Sequence, residues 1–284
     1  MLKVVEVACP AKISLFLNVN DYSDTKNQYD MRMINQTINL YDNIIIQEKR
    51  GPENILINTS IPLVKEEIEN YYKIVKLFLE YTNIKTGTLK ITVNKSIPSL
   101  SGLGGLETDI AGILIGLNKY YCTDLTTREL MFLGSLINKN VAYFIHAGCC
   151  KITNFGDKIE TYKNNPYTSY LIINPTINID IENMLLELRK TKLLSKNIPN
   201  NIVHNDFLSM IPSDIKKIRE FLTNYKLDHS LSGIGSSYFI AFREKAFNFK
   251  IRTSLKTEFP NCKFYNVENA PGHRVLTKYL NHKK

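Results

Sequence analysis

The sequence predicts an α+β protein built as two lobes that meet around residue 160. Three observations lead there. Segments with two-residue and 3.6-residue apolar periodicity alternate along all 284 residues. The chain is 44% apolar, enough for a substantial core. The pattern shifts near Pro166, where a new strand–helix series begins. Neither a fixed-period repeat nor a low-complexity stretch interrupts the series. The first lobe is drawn at 1–160 and the second at 161–284.

The elements follow in order. Residues 2–8 and 12–20 read as strands on either side of Pro10, which cannot donate to a ladder and predicts a break or a bulge. Residues 22–30, with Tyr22, Asp24, Asn27 and Asp30, read as a polar loop. Residues 34–40 and 43–48 read as strands. Ile68, Tyr71, Tyr72, Val75 and Leu79 fall at helical spacing and predict a helix over 65–81. A strand over 89–93 leads to Lys95 and Pro98. Helices are predicted over 108–121 and 126–136, the second opened by Thr126 as cap. Beyond Pro166 come a strand at 170–173, helices at 181–194 and 213–224, a strand at 238–242, a helix at 247–258 and a last strand at 263–266.

Lys and Arg number 36 against 27 Asp and Glu, a formal charge of +9. This suits anionic small molecules. It equally reflects a Lys-, Ile- and Asn-rich composition without Trp, as an AT-rich coding genome gives. Nucleic acid is not the expected partner, because no basic run is interleaved with aromatics. Five cysteines, an odd number with no CxxC pair, argue against a disulfide framework or a zinc site and for a reducing cytoplasm. The first residues read as a strand, not as a signal peptide or membrane anchor. The five histidines show no metal-ligand spacing, and His229 is expected to be structural.

The central feature is IPSLSGLGGLETDIAG at 97–112, between a strand and a helix. Gly102, Gly104 and Gly105 allow positive φ and close backbone approach. Their amides, with the positive end of the following helix, would make a concave anion site. The ending is not the Lys-Ser/Thr of a P-loop, and the spacing is not that of a Rossmann fingerprint. The same residues also suit an ordinary strand–helix turn. Glu107 and Asp109 lie in the first helical turn, either as dipole-stabilising carboxylates or, for one of them, as a Mg²⁺ ligand.

Two further segments extend the pattern. PAKISLFL at 10–17 resembles the first motif of the GHMP kinases, residues 98–111 resemble the second, and LSGIGSS at 231–237 resembles the third. Within that superfamily the chain is most similar to the 4-diphosphocytidyl-2-C-methyl-D-erythritol kinases, with Asn205-Asp206 and VENAPGH at 267–273 also similar to segments of that family. The resemblance implies a ribosomal-protein-S5-like N-terminal ATP-binding lobe and a ferredoxin-like C-terminal lobe. It implies ATP- and Mg²⁺-dependent phosphorylation of a hydroxyl on a cytidine-diphosphate-linked sugar alcohol, in the non-mevalonate route to isoprenoids. A monomer or homodimer acting in the cytoplasm, without membrane or nucleic acid, is expected.

The resemblance also implies roles by position. Lys12 would lie near the reacting hydroxyl and the γ-phosphate. ATP would contact Asn70, at the start of its helix, Lys95, and Pro98, Leu100, Ser101, Gly102, Leu103, Gly104, Gly105 and Thr108, with Gly233 and Gly235 closing over the phosphates. Ser14, Tyr29 and Asp30 would meet the substrate, Tyr29 by stacking on the base. The family's general-base aspartate falls on Asn140, in NKNVA at 138–142. An amide cannot accept a proton at neutral pH, and losing a general base costs about 10²–10⁴ in rate. An alternative reading is therefore a pseudokinase that binds nucleotide or a partner without turnover. Tyr29-Asp30 replaces the family's Tyr-His, Ser14 replaces an Asn, and Leu106 replaces a Gly.

Overall fold

The computed structural model describes residues 2–25, 28–177, 179–191, 202–244 and 249–280. Its backbone is β1 (Leu2–Ser23), a single 22-residue strand. Pro10 does not break it. It sits at a register shift, pairing with Tyr41 while Ala11 pairs with Ile38. A proline is tolerated there because the bulge removes the need for its missing N–H. β1 hairpins into β2 (Gln28–Lys49), pairing as far as Ser23 with Gln28. The described residues of the polar stretch at 22–30 are thus mostly strand, with turn residues at 24–25. Residues 34–40 and 43–48 are one strand, not two.

The first sheet has the order β12-β1-β2-β4-β3, with β3 at Asn54–Thr59, β4 at Thr88–Asn94 and β12 at Arg274–Leu280. β5 (Cys149–Thr153) pairs with β2 and with β6 (Lys158–Thr161). The two-residue strand β8 (His204–Asn205) pairs with β1. Helices α1 (Lys65–Thr82), α2 (Gly105–Tyr121), α3 (Thr127–Ser135) and α4 (Lys139–His146) accompany this sheet. α3 carries the expected Thr126 cap, completed to a capping box by Glu129. α2 lies close on β1 and β2. A Cβ at Gly112 would sit 2.2 Å from Cys9 Sγ, so only glycine lets the helix approach this far.

The second sheet is antiparallel, in the order β11-β7-β10-β9. Its strands are β7 (Ser169–Asn174), β9 (Asp228–Leu231), β10 (Tyr238–Phe242) and β11 (Lys263–Glu268). It carries α5 (Ile181–Thr191), α6 (Ser213–Thr223) and α7 (Phe249–Glu258). The expected helical residues 192–194 and 247–248 lie outside the described residues. The strand at 263 is not the last: the chain returns to the first sheet as β12, antiparallel to β1.

β1 threads three cores by strict alternation. Val5, Val7 and Cys9 enter the core under α1 and α2. Ala11, Ile13 and Leu15 enter the layer between the sheets. Leu17 and Val19 enter the core of the second sheet. The residues between them, Lys12 and Ser14, are left for the opposite face. Among the described residues no helix is long and apolar enough to cross a membrane.

Candidate active site

Lys12, Ser14 and Leu17 of β1 line a cavity of about 410 Å³. The Gly-rich loop forms one wall. Gly102 and Gly104 adopt φ of +74° and +77°, and Leu100 does so at +50°. Gly104 precedes α2 as its cap and offers no side chain, so the first amides of the helix stay free for a ligand. The loop is anchored from behind: Lys12 N donates to Leu103 O at 2.9 Å, and Ser101 Oγ donates to Pro98 O at 2.6 Å.

The third motif closes the loop. Ser232 Oγ donates to Gly102 O at 2.9 Å, and Ser237 N donates to Ser101 O at 2.9 Å. A Cβ on Gly102 would meet Ser232 O at 2.0 Å, so the two turns fit only with glycine at 102. Ser14 N donates to Ser232 Oγ at 3.3 Å, which brings the first motif to the same junction. Asn205 Nδ2 donates to Leu231 O and Gly233 O, at 2.9 and 2.7 Å. Asp206 Oδ2 accepts from Val19 N at 2.7 Å. The Asn-Asp segment thereby staples β1 to the third motif.

The structure brings most of the expected residues together. Lys12, Ser14 and Asn140 line the cavity, with Lys95, Pro98, Leu100 and Ser101. So do Gly102, Gly104, Gly105, Gly233 and Gly235. Five stand elsewhere. Asn70 lies past the first turn of α1, not at its start, and Val64, Glu66 and Glu67 take the place facing the cavity. Leu103 is fully buried in the inter-sheet core. Thr108 is buried beside His273, 3.3 Å from its Nε2. Tyr29 donates its hydroxyl to Leu185 O at 2.8 Å and packs edge-on against Tyr22. Asp30 accepts from Asn20 Nδ2 and Phe155 N, bracing the hairpin.

Other lining residues were not expected from sequence. Leu17, Met31, Met33, Ile181 and Ile234 form an apolar wall, Asn35 lies beside Ser14 across the β1–β2 ladder, and Tyr143 and Phe144 close one end. The alternation in MRM at 31–33 was the signal that could have found the two methionines. A larger hollow of about 830 Å³ lies beside α6 and the end of α7, and no residue of the three motifs lines it.

The charges divide into two groups. Lys95 Nζ is 2.5 Å from Asp109 Oδ2 and 2.5 Å from Asp42 Oδ2, with Gly105 O at 3.3 Å. Tyr71 OH donates to Asp109 Oδ2 at 2.7 Å. Burial works against the Lys95 charge, but Asp109 and Asp42 outweigh it and hold its pKa above the ordinary value. Burial pushes the Asp109 carboxyl up to about 7 against the pull of Lys95. Asp109 is therefore a buried brace between Lys95 and Tyr71. Lys95 is spent on the same brace, with its donors turned to protein.

The second group faces the cavity. Lys12 Nζ donates to Ser14 Oγ at 2.8 Å. Burial pulls its pKa down to about 8, and the charge of Glu107 pulls it back up. Burial raises the Glu67 carboxyl, with Lys95 acting against it. Asn140 is exposed at the start of α4, its N–H capped by Asn138 Oδ1 at 2.9 Å.

Several proteins similar to this chain are kinases. The GHMP kinases N terminal domain matches residues 69–148. A 4-diphosphocytidyl-2-C-methyl-D-erythritol kinase of Sulfurihydrogenibium sp. is 31% identical over 216 residues, covering 76% of this chain and 75% of that protein. The enzyme of the same name from Pasteurella multocida is 27% identical over 278 residues, covering 95% and 92%. Among solved structures, a 4-(cytidine 5'-diphospho)-2C-methyl-D-erythritol kinase superposes with a TM-score of 0.75 at 17% identity, over 93% of this chain and all of that one. A mevalonate kinase does so at 0.71 and 17%, over 94% and 98%. These two likenesses establish the fold, that of the GHMP kinases. Identity and coverage among the sequence relatives carry the assignment further: this chain belongs to the 4-diphosphocytidyl-2-C-methyl-D-erythritol kinase family.

Proposed function

We propose that this chain transfers the γ-phosphoryl group of ATP to a hydroxyl of 4-diphosphocytidyl-2-C-methyl-D-erythritol, a step on the non-mevalonate route to isoprenoids. One observation carries the reading: three sequence-distant motifs meet at a single cavity, with Lys12 at its head and the amides of α2 open to it. ATP phosphates lie over residues 100–105, where backbone N–H groups and the helix start favour an anion. Lys12 supports the charge on the transferring group, and Ser14 fixes its Nζ. The acceptor lies along the wall of Leu17, Met31, Met33 and Ile234. Tyr29, held on Leu185, supports that wall and does not stack on the base.

Glu67 and Glu107 face the cavity, and carboxylate oxygen is the donor type Mg²⁺ takes. Among the described residues no group of three or more His, Cys, Asp or Glu is placed to hold a metal. In this reading Glu67 would hold the ion together with phosphate oxygens, and when bound it would neutralise phosphate charge. A second reading, nucleotide binding without turnover, is favoured by the amide at Asn140.

The test is mass-detected transfer from ATP to the diphosphocytidyl substrate. Turnover is expected from the wild type, and Lys12→Ala should lower it by about 10²-fold or more with the fold intact. ATP binding without product in the wild type would favour the second reading, and unchanged turnover in Lys12→Ala would remove Lys12 from the mechanism.

A further inference from the structure

An acceptor hydroxyl that attacks phosphorus must lose its proton, and Asn140 has no basic atom to receive it. The ionisable side chains that line the cavity, among the described residues, decide what else can. From β1 comes Lys12; from the segment after β4 comes Lys95, neutralised by Asp42 and Asp109. From α1 come Glu66 and Glu67, from α2 Glu107 and from α4 Tyr143. Tyr143 is buried, donates its hydroxyl to Gly148 O at 3.0 Å, and burial raises its pKa further. The two α1 carboxylates follow Val64, and the charges of Lys95 and, more weakly, Glu107 act on Glu67.

Glu107 is placed differently. It sits three residues into α2 from Gly104, whose Cβ position is 3.4 Å from Lys12 Cγ and 2.4 Å from Phe144 Cζ. Phe144 lies one helical turn beyond Asn140 on the same face of α4. Asn138 links the two helix starts. Its Oδ1 caps Asn140 N at 2.9 Å, and its Nδ2 is 3.5 Å from Glu107 Oε1. The Glu107 carboxylate is thus held beside the cap of the helix that carries Asn140, over the Lys12 side of the cavity. It is also the carboxylate whose charge acts on Lys12.

We propose that Glu107 is the catalytic base of this chain, receiving the acceptor hydroxyl proton at the junction of the α2 and α4 starts in place of a carboxylate at 140. The proposal rests on the kinase reading above. The hydroxyl oxygen forms a bond to the γ-phosphorus of ATP, the bond from that phosphorus to the β–γ bridging oxygen breaks, and ADP leaves. The proton passes to Glu107 Oε and from there to solvent. Glu107 stands in the first turn of α2, one turn from the Gly104 cap.

The test compares wild type, Glu107→Gln, Asn140→Asp and the double variant, in turnover and in calorimetric affinity for Mg²⁺-ATP. Glu107→Gln is expected to lose about 10²–10³ in kcat with ATP affinity within about twofold. Asn140→Asp added to Glu107→Gln should raise kcat at least about tenfold over Glu107→Gln alone, as a relocated base would. Unchanged kcat in Glu107→Gln overturns the assignment. So does a loss of Mg²⁺-ATP affinity that matches the loss of kcat, which would make Glu107 a metal ligand. An inert wild type with an active Asn140→Asp also overturns it while leaving the kinase scaffold in place. Absence of transfer in all four proteins despite ATP binding brings down the kinase reading itself.

Discussion

Lys12 has the weakest hold on its proton of any cavity cation. Burial brings its pKa to about 8, and Glu107 supplies the opposing pull. A lysine that stabilises the transferring phosphoryl group acts only while charged. The kcat/KM profile, which reports the free enzyme, should therefore fall as pH rises through about 8. Bound phosphates add negative charge, so the limb in kcat should lie at higher pH. Removing the Glu107 charge withdraws support from the ammonium, and the kcat/KM limb of Glu107→Gln should move to lower pH. A flat profile between about pH 6 and 10 would mean that the Lys12 charge is not used. Lys12 was legible in the sequence because its neighbours, Pro10 to Leu17, are a local pattern. Tyr29 and Asp30 were not: whether a tyrosine in a hairpin meets the cavity or Leu185 depends on α5, far along the chain.

At the scale of elements, Lys95 shows how local reading goes astray. A lysine just before a glycine loop suggests a phosphate contact. Its partners are Asp42 on β2, Asp109 on α2 and, through Asp109, Tyr71 on α1. Asp42 Oδ1 also accepts from Ile97 N at 2.8 Å, so one buried cluster sets where the loop begins. Breaking a buried ion pair from one side leaves an uncompensated charge and costs about 3–5 kcal/mol. Lys95→Met should lower stability by that amount in denaturant unfolding, with Asp42→Asn in the same chain restoring part of it. A Lys95→Met protein as stable as wild type would show that the cluster does not hold the loop. The long amphipathic helices α1 and α2 were readable from their period. α4 was not, because its eight residues, capped by Asn138 and opening on Lys139-Asn140, make sense only against α2 and α3. β12 was missed for a similar reason: its pairing partner, β1, is at the other end of the sequence.

Across the whole molecule, the segment from β11 to β12 ties the second sheet back to the first. Ala270 N donates to Thr37 O at 2.8 Å, and Thr37 Oγ1 donates to Ala270 O at 2.5 Å. His273 completes the tie, its Nε2–H donating to Thr108 O at 3.0 Å inside the first turns of α2. Burial pushes its pKa down to about 4, with the Thr108 carbonyl acting against the shift. An unfolded histidine takes a proton near pH 6.5, whereas this one stays neutral until about 4. Between those values the unfolded chain binds more protons, so stability is full above about 6.5 and declines as pH falls toward 4. The loss is of the order of 3 kcal/mol. Asp109 works in the opposite sense, since its raised pKa lets the folded state take a proton first. The raw acid profile therefore mixes both, and the difference between wild type and His273→Gln isolates the histidine. Glutamine keeps an N–H for Thr108 O but cannot be protonated. Between about pH 7 and 4.5 the wild type should lose stability that the His273→Gln protein keeps, read from urea midpoints at each pH. Parallel losses in the two proteins would show that His273 is solvated in the folded state and that the tail does not seal the back of α2.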